Sequence, residues 1–362
     1  MKVAVACGGT GGHVFPGLAT AHELLRRGHD VTLWLTGRDT EKAALKDWDG
    51  PYVEVPARGF PSGISWKSAQ TLWQLLKALR ECRAKMAKER PDVLLAMGSY
   101  ASVGPCGAAR WLGVPIVLHE ANVVPGRAVR LFARGAAAVA SGFEETRYYL
   151  KGVRLEAVGV PLREELTEAA RGLPARERPV HAPLRLLVAG GSMGAHRLNE
   201  VATEALARLR RSGVDVRAAH LTGAKDEVQV REAYAAAGVE AEVIAFTKYM
   251  APLYHGADLA ICRAGASTCA ELAFFGVPAL FVPYPHAAGD HQTANARALE
   301  KRGAADVVDE GALTPEWLEA YLAQTVRRPE RLERMREAAR REGVKDGTLA
   351  LAELVEGCGR RP

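Results

Sequence analysis

Three short segments hold the residue types from which an anion site can be built. Gly8-Gly9-Thr10-Gly11-Gly12 follows the apolar run Lys2 to Cys7, and Gly190-Gly191-Ser192-Met193-Gly194-Ala195 follows the run Leu184 to Ala189. Glycines between a strand and a helix let the backbone turn tightly and approach a phosphate, while the helix N-terminus supplies free N–H donors. Neither turn has the G-x-G-x-x-G spacing of a dinucleotide fingerprint, and no P-loop is present. The alternative is that these glycines serve close strand–helix packing alone. The third segment, Arg263 to Glu271, breaks at Gly265 and opens a helix with Ser267 and Thr268. Hydroxyls and bare amides there suit a diphosphate, and Glu271, one turn further in, suits a ribose diol. Against this stands a capping box of Glu271 with Ser267 or Thr268.

His13 directly follows the first turn, and an imidazole with its ordinary pKa near 6.5 is mostly neutral at neutral pH. It is the candidate general base, with a hydrogen bond to the turn backbone as the structural alternative. Glu120, a carboxylate at a predicted strand end, is a candidate to orient or replace it. The polar run Pro283-Tyr284-Pro285-His286 through Asp290-His291-Gln292 and Asn295 is suited to sugar hydroxyls, with helix capping the alternative for Asn295. His286, Asp290 and His291 come nearest to a cation set, but surface or sugar-contacting roles explain them, and no metal site is expected.

The elements that must position these groups alternate along the chain. Strands are predicted at Lys2 to Cys7, Asp30 to Leu35, Val93 to Ala96, Ile116 to Glu120, Leu184 to Ala189, Ala218 to Leu221, Leu259 to Ile261 and Ala279 to Val282, with helical patterns between them. Helices are expected from Pro16 to Arg27, closed by Gly28, and from about Leu198 to Arg211. The two glycine turns lie 190 − 8 = 182 residues apart, half of a 362-residue chain. Two Rossmann-like α/β domains facing a cleft are therefore expected, residues 1–161 and 162–362. The join is placed at Val158-Gly159-Val160-Pro161 rather than in Arg171 to Pro183, and the last helix is a candidate to pack back on the first domain.

Composition narrows the class further. With 48% hydrophobic and 25% charged residues the chain reads as globular, and a formal net charge of +6 favours phosphates or an anionic membrane surface without requiring nucleic acid. The six scattered cysteines lack zinc or redox spacing and suit free thiols in a reducing cytoplasm. The apolar run after Met1 is too brief for a signal peptide, and charge or proline breaks every longer one. Leu72, Trp73, Leu76 and Leu79 at helical spacing, with Trp66 before them and six basic residues between Lys77 and Arg90, make a basic amphipathic helix. It is read either as a membrane-surface helix or as a sheet cover with a solvated outer face.

These blocks, with Leu118-His119-Glu120, Asn122, Cys262-Arg263-Ala264-Gly265-Ala266 and Pro278-Ala279-Leu280-Phe281-Val282-Pro283, closely resemble the MurG-type UDP-N-acetylglucosamine transferases of peptidoglycan synthesis. The resemblance covers essentially the whole chain. It implies a GT-B fold and inverting transfer of N-acetylglucosamine from UDP-N-acetylglucosamine to the 4-hydroxyl of the muramyl sugar of lipid I, giving lipid II. It places UDP on Ser192, Thr247, Ala266, Ser267, Thr268 and Glu271, and assigns Thr10, Gly11, Gly12, Asn122, Arg163 and Gln292 to the UDP-N-acetylglucosamine site. Gly98-Ser99-Tyr100 stands where the family commonly has Gly-Gly-Tyr, at the acceptor-pyrophosphate turn, and the Gly8 turn then faces the acceptor diphosphate.

Leaving-group charge falls to the helix start at Ser267 and the Ser192 turn, so no cofactor is required and a divalent cation is at most stimulatory. The implied setting is cytoplasmic and peripheral, on the inner face of the cell membrane, with cell-wall synthesis proteins as candidate partners and Trp66 and Trp73 toward the lipid. Two other readings use the same fold: a UDP-N-acetylglucosamine epimerase, and a nucleotide-sugar-binding module without turnover.

Overall fold

The computed structural model describes residues 1–55, 67–173, 183–191, 194–343 and 347–359, with the backbone alone over 67–76 and at 40, 43, 44 and 47. The chain divides into two compact units, Met1–Arg163 joined by Lys345–Pro362, and Glu164–Val344.

The first unit holds seven parallel strands: β1 (Lys2–Ala6), β2 (Asp30–Leu35), β3 (Tyr52–Glu54), β4 (Val93–Ala96), β5 (Ile116–Glu120), β6 (Ala138–Ser141) and β7 (Leu155–Ala157), in the order β3-β2-β1-β4-β5-β6-β7. The second holds β8 (Leu184–Ala189), β9 (Val216–Leu221), β10 (Glu240–Ile244), β11 (Leu259–Cys262), β12 (Ala279–Phe281) and β13 (Ala305–Val307), in the order β10-β9-β8-β11-β12-β13. Strand order reverses between β1 and β4 and between β8 and β11, where an open sheet of this kind leaves room for a ligand at the strand carboxyl ends.

Side chains alternate between the two faces of the sheet and helices cover both, so the central strands are apolar throughout. Val3, Val5 and Cys7 face Val14, Leu18 and Leu24 of the helix Gly11–Arg26. Ala4 and Ala6 face the opposite layer, with Cys82 and Met86 of the helix Lys67–Glu89 and Cys106 and Ala108 of the helix Val103–Leu112. The described end of the helix Lys67–Glu89 is thus a sheet cover whose basic residues lie outside the core.

Helix Gly347–Gly359 belongs to the first unit, where Leu351, Ala352, Leu354 and Val355 complete the layer beside Leu24. Glu356 on that helix accepts from Arg27 Nη1 at 3.0 Å and pairs with His29 Nε2 at 2.7 Å. No helix among the described residues is long and apolar enough to cross a membrane.

Two helix starts differ from the sequence expectation. The first helix begins at Gly11 rather than Pro16, so Pro16 lies inside it and His13 sits in its first turn. The apolar periodicity becomes visible only after Pro16, because Gly11, Gly12 and His13 carry none of it. The helix expected to open at Ser267 starts at Ala266 with Gly265 as N-cap.

Candidate functional site

At the carboxyl end of β1 the turn is fixed from two sides. Glu41, fully buried, accepts from the Gly9 amide at 2.7 Å, the Thr36 amide at 2.7 Å and hydroxyl at 2.5 Å, and the Gly37 amide at 2.8 Å. Burial pushes the Glu41 carboxyl up, but the hydrogen bonds from Thr36, Gly9 and Arg38 outweigh it and hold it below the ordinary value. From the other side, Ser99 Oγ donates to the Gly8 carbonyl at 2.5 Å and accepts from the Ala101 amide at 3.0 Å.

The Gly9 amide is therefore committed to a carboxylate. The donors open to an anion in this turn shift to Gly11 and Gly12, whose amides precede the first intrahelical acceptor. Thr10, the N-cap, does not cap with its side chain; its Oγ1 lies 3.0 Å from His13 Nδ1. His13 is half-buried, and desolvation lowers its pKa to about 4.

Beside the turn, Gly98 has φ +82, and a Cβ there would stand 2.8 Å from the His119 carbonyl, so residue 98 must be glycine. The Arg38 guanidinium lies 5.0 Å from the centre of the Tyr100 ring. His119 is buried, its pKa also lowered to about 4 by desolvation, and its Nε2 meets the Gly159 carbonyl at 3.2 Å.

Glu120, at the end of β5, is hydrogen-bonded to the loop that follows it. Its Oε1 accepts from the Asn122 amide at 2.9 Å and side chain at 3.2 Å, and its Oε2 accepts from the Gly126 amide at 2.7 Å. Both oxygens take part in ordering the loop 121–126 that carries Asn122. Arg163 stacks on Phe15 at 5.6 Å.

In the second unit the turn after β8 is packed against the end of β9. Gly194 has φ +76, and a Cβ there would stand 2.5 Å from the Thr222 carbonyl. Asn199 Nδ2 donates to that carbonyl at 2.8 Å and to Asp226 at 2.7 Å, while Asn199 Oδ1 meets buried His220 at 3.1 Å. Ser192 lies outside the described residues, as does Trp66, and for Trp73 the backbone alone is described.

After β11, the helix Ala266–Phe275 presents the amides of Ala266, Ser267 and Thr268 at its N-terminus, with the Ser267 and Thr268 side chains partly exposed. Glu271 makes no capping box with them, since the N-cap is Gly265; its Oε2 accepts the Tyr254 hydroxyl at 2.6 Å. Thr247 Oγ1 accepts from the Tyr249 amide at 3.0 Å in the loop after β10. Gln292 Oε1 accepts from the Tyr284 amide at 3.0 Å, which orients its amide group.

Asn295 does not cap a helix, since the N-cap of its helix is Asp290. It is fully buried inside the helix His291–Lys301 and donates to the Ala264 carbonyl at 3.1 Å. Among the described residues no cluster of His, Cys, Asp and Glu could hold a metal ion.

Sequence reasoning missed Glu41, Tyr254 and Trp111. Glu41 and Tyr254 stand on short helices outside every glycine motif and become meaningful only once folding brings them under one. Trp111, 64% exposed with the Arg83 guanidinium 4.8 Å from its ring centre, is an isolated aromatic at the end of an ordinary apolar helix.

Two doubly wound units, with a glycine-capped helix start after β11 and a carboxylate one turn inside that helix, are the architecture of the GT-B class. Residues 3–141 match the glycosyltransferase family 28 N-terminal domain and residues 185–350 its C-terminal domain. The chain belongs to glycosyltransferase family 28.

It is 40% identical over 373 residues to the UDP-N-acetylglucosamine--N-acetylmuramyl-(pentapeptide) pyrophosphoryl-undecaprenol N-acetylglucosamine transferase of Bordetella petrii, covering 99% of this chain and 98% of the relative. The protein of the same name from Geobacter sulfurreducens is 38% identical over the full length of both chains. Among solved structures, the MurG of Acinetobacter baumannii aligns with a TM-score of 0.82 at 31% identity, over 99% of this chain and 100% of that one.

Proposed function

We propose that this protein transfers N-acetylglucosamine from UDP-N-acetylglucosamine to the 4-hydroxyl of the muramyl sugar of lipid I, with inversion at the anomeric carbon of the transferred sugar, giving lipid II and UDP. The observation that carries this reading is the end-to-end likeness to transferases named for that reaction. An epimerase or a binding module would leave it unexplained.

Each unit has its share of the chemistry. In the first, Thr10 Oγ1 lies 3.0 Å from His13 Nδ1; in the tautomer with the proton on Nδ1, the Nε2 lone pair receives the proton of the attacking hydroxyl. A neutral imidazole is the form that can act, and the lowered pKa keeps it neutral. In the second, the amides of Ala266, Ser267 and Thr268 meet the charge growing on the departing diphosphate, and Glu271 receives the ribose hydroxyls. The preorganised N–H groups supply what a metal would otherwise supply, so no cofactor is required and a divalent cation is at most stimulatory.

The acceptor is a membrane lipid, and a peripheral contact with the anionic inner surface of the cell membrane follows. Among the exposed aromatics with a guanidinium over the ring are Trp111 with Arg83 at 4.8 Å and Tyr149 with Arg130 at 6.0 Å. An amphipathic ring beside a fixed cation suits the headgroup layer of anionic lipid.

UDP release, followed across a panel of UDP-sugars with and without a soluble lipid I analogue, tests the function. Release is expected from UDP-N-acetylglucosamine and only with the analogue. Release without acceptor, or none with it, rules the reading out.

A further inference from the structure

We propose that Tyr254 is the positioning residue that makes the donor site select ribose over 2′-deoxyribose nucleotides, an inference that rests on the reading of Glu271 as the ribose ligand. Tyr254 lies on the helix Ala251–Gly256 and Glu271 on the helix Ala266–Phe275, with 3% and 7% of their surfaces exposed. The Tyr254 hydroxyl donates to Glu271 Oε2 at 2.6 Å, and the Tyr254 ring packs against Phe275 with centroids 5.4 Å apart. The ring is held by the same helix that carries the carboxylate.

A glutamate's terminal torsion is broad and two-fold, so a carboxylate without an anchor samples many orientations. Two vicinal hydroxyls are received together only when the carboxylate plane faces them. Because the group is planar, fixing Oε2 with one donor fixes the direction of Oε1 as well. A phenol is a neutral donor and anchors the carboxylate without forming an ion pair, whereas a guanidinium in its place would draw charge away from the oxygens. The orientation is thus set before the nucleotide arrives, and a nucleotide lacking one hydroxyl leaves part of a prepared acceptor unused.

The experiment titrates the full-length protein calorimetrically with UDP and with 2′-deoxy-UDP, for wild type, Tyr254→Phe and Glu271→Ala, with melting temperatures recorded alongside. Wild type is expected to prefer UDP by at least about tenfold, the worth of a hydrogen bond to a charged group. Tyr254→Phe, which keeps the ring and its packing, narrows that preference to about threefold or less, through weaker UDP binding with 2′-deoxy-UDP unchanged. Glu271→Ala abolishes the preference.

If Tyr254→Phe keeps the full preference while Glu271→Ala loses it, the role of Tyr254 is overturned and the ribose reading stands. Equal weakening of both nucleotides by Tyr254→Phe, with a lower melting temperature, makes Tyr254 a packing residue and also overturns the proposal. Absence of any preference in wild type removes the ribose reading and the proposal with it.

Discussion

The amide of Gly9 donates to the carboxylate of Glu41 at 2.7 Å, so a buried negative charge lies directly beneath the glycine turn that leads into His13. The contact makes the turn rigid before any ligand arrives. Replacing Glu41 by alanine strands the amides of Gly9, Thr36 and Gly37, and a cost of at least about 3 kcal/mol is expected in urea unfolding. Turnover should fall with it, while UDP affinity, a property of the second unit, stays within a factor of about two. Equal loss of both would show that the turn is not the element Glu41 holds.

The acidity of His13 sets the pH profile. An imidazole at its ordinary value of 6.5 would lose activity as a base below that pH, whereas desolvation lowers His13 to about 4. The acid limb of kcat/KM is accordingly expected near pH 4, with a flat profile through pH 6, read in steady-state assays with a soluble acceptor. A limb at about 6.5 would remove His13 from the base role or show it solvated.

The same shift links stability to pH with a definite sign. His13, His119 and His220 all have folded pKa values of about 4 against the ordinary 6.5, each lowered first by desolvation. Between those values the unfolded chain takes up protons that the folded chain does not. Their contribution is complete above pH 6.5 and is lost as pH falls toward 4. Proton uptake on denaturation, measured by calorimetry in buffers of different ionisation enthalpy, should be positive at pH 5.5 and near zero at pH 8.

The Arg83–Trp111 pair gives the membrane contact a specific handle. Trp111→Ser and Arg83→Gln are each expected to reduce sedimentation with vesicles containing anionic lipid several-fold, with kcat on a soluble acceptor unchanged. Undiminished binding by both variants would place the contact elsewhere.

Helix Gly347–Gly359 closes the core of the first unit. Leu351→Ala, at a fully buried position, should cost about 2–5 kcal/mol and speed hydrogen exchange in β1 and β4 more than in β8 and β11.

The central strands were legible in the sequence because they are buried on both faces and so are apolar throughout. β5 (Ile116–Glu120) and β8 (Leu184–Ala189) have the predicted bounds. The edge strands were not: β10 reads Glu-Ala-Glu-Val-Ile, and β3, β7 and β13 have three residues each, too few for a pattern. Candidates such as His13 and Glu271 were found from their places directly after a glycine turn and one turn inside the helix that follows one. Their supports were not, because Glu41 is 32 residues from Gly9 and Tyr254 is 17 from Glu271, and each pair is made by topology alone. The hydrogen bonds that Glu120 accepts from the Asn122 and Gly126 amides were likewise not legible, because a carboxylate at a strand end does not announce in one dimension how the following loop folds back on it.

In the proposed reaction a neutral His13 deprotonates the acceptor hydroxyl, which attacks with inversion at the anomeric carbon. The most direct test of that reaction is NMR of the products formed from UDP-N-acetylglucosamine and a lipid I analogue. One new β-linkage at the muramyl 4-hydroxyl, with an equal amount of UDP, is the predicted result. An α-linkage, or an epimerised donor sugar with no new linkage, would contradict it.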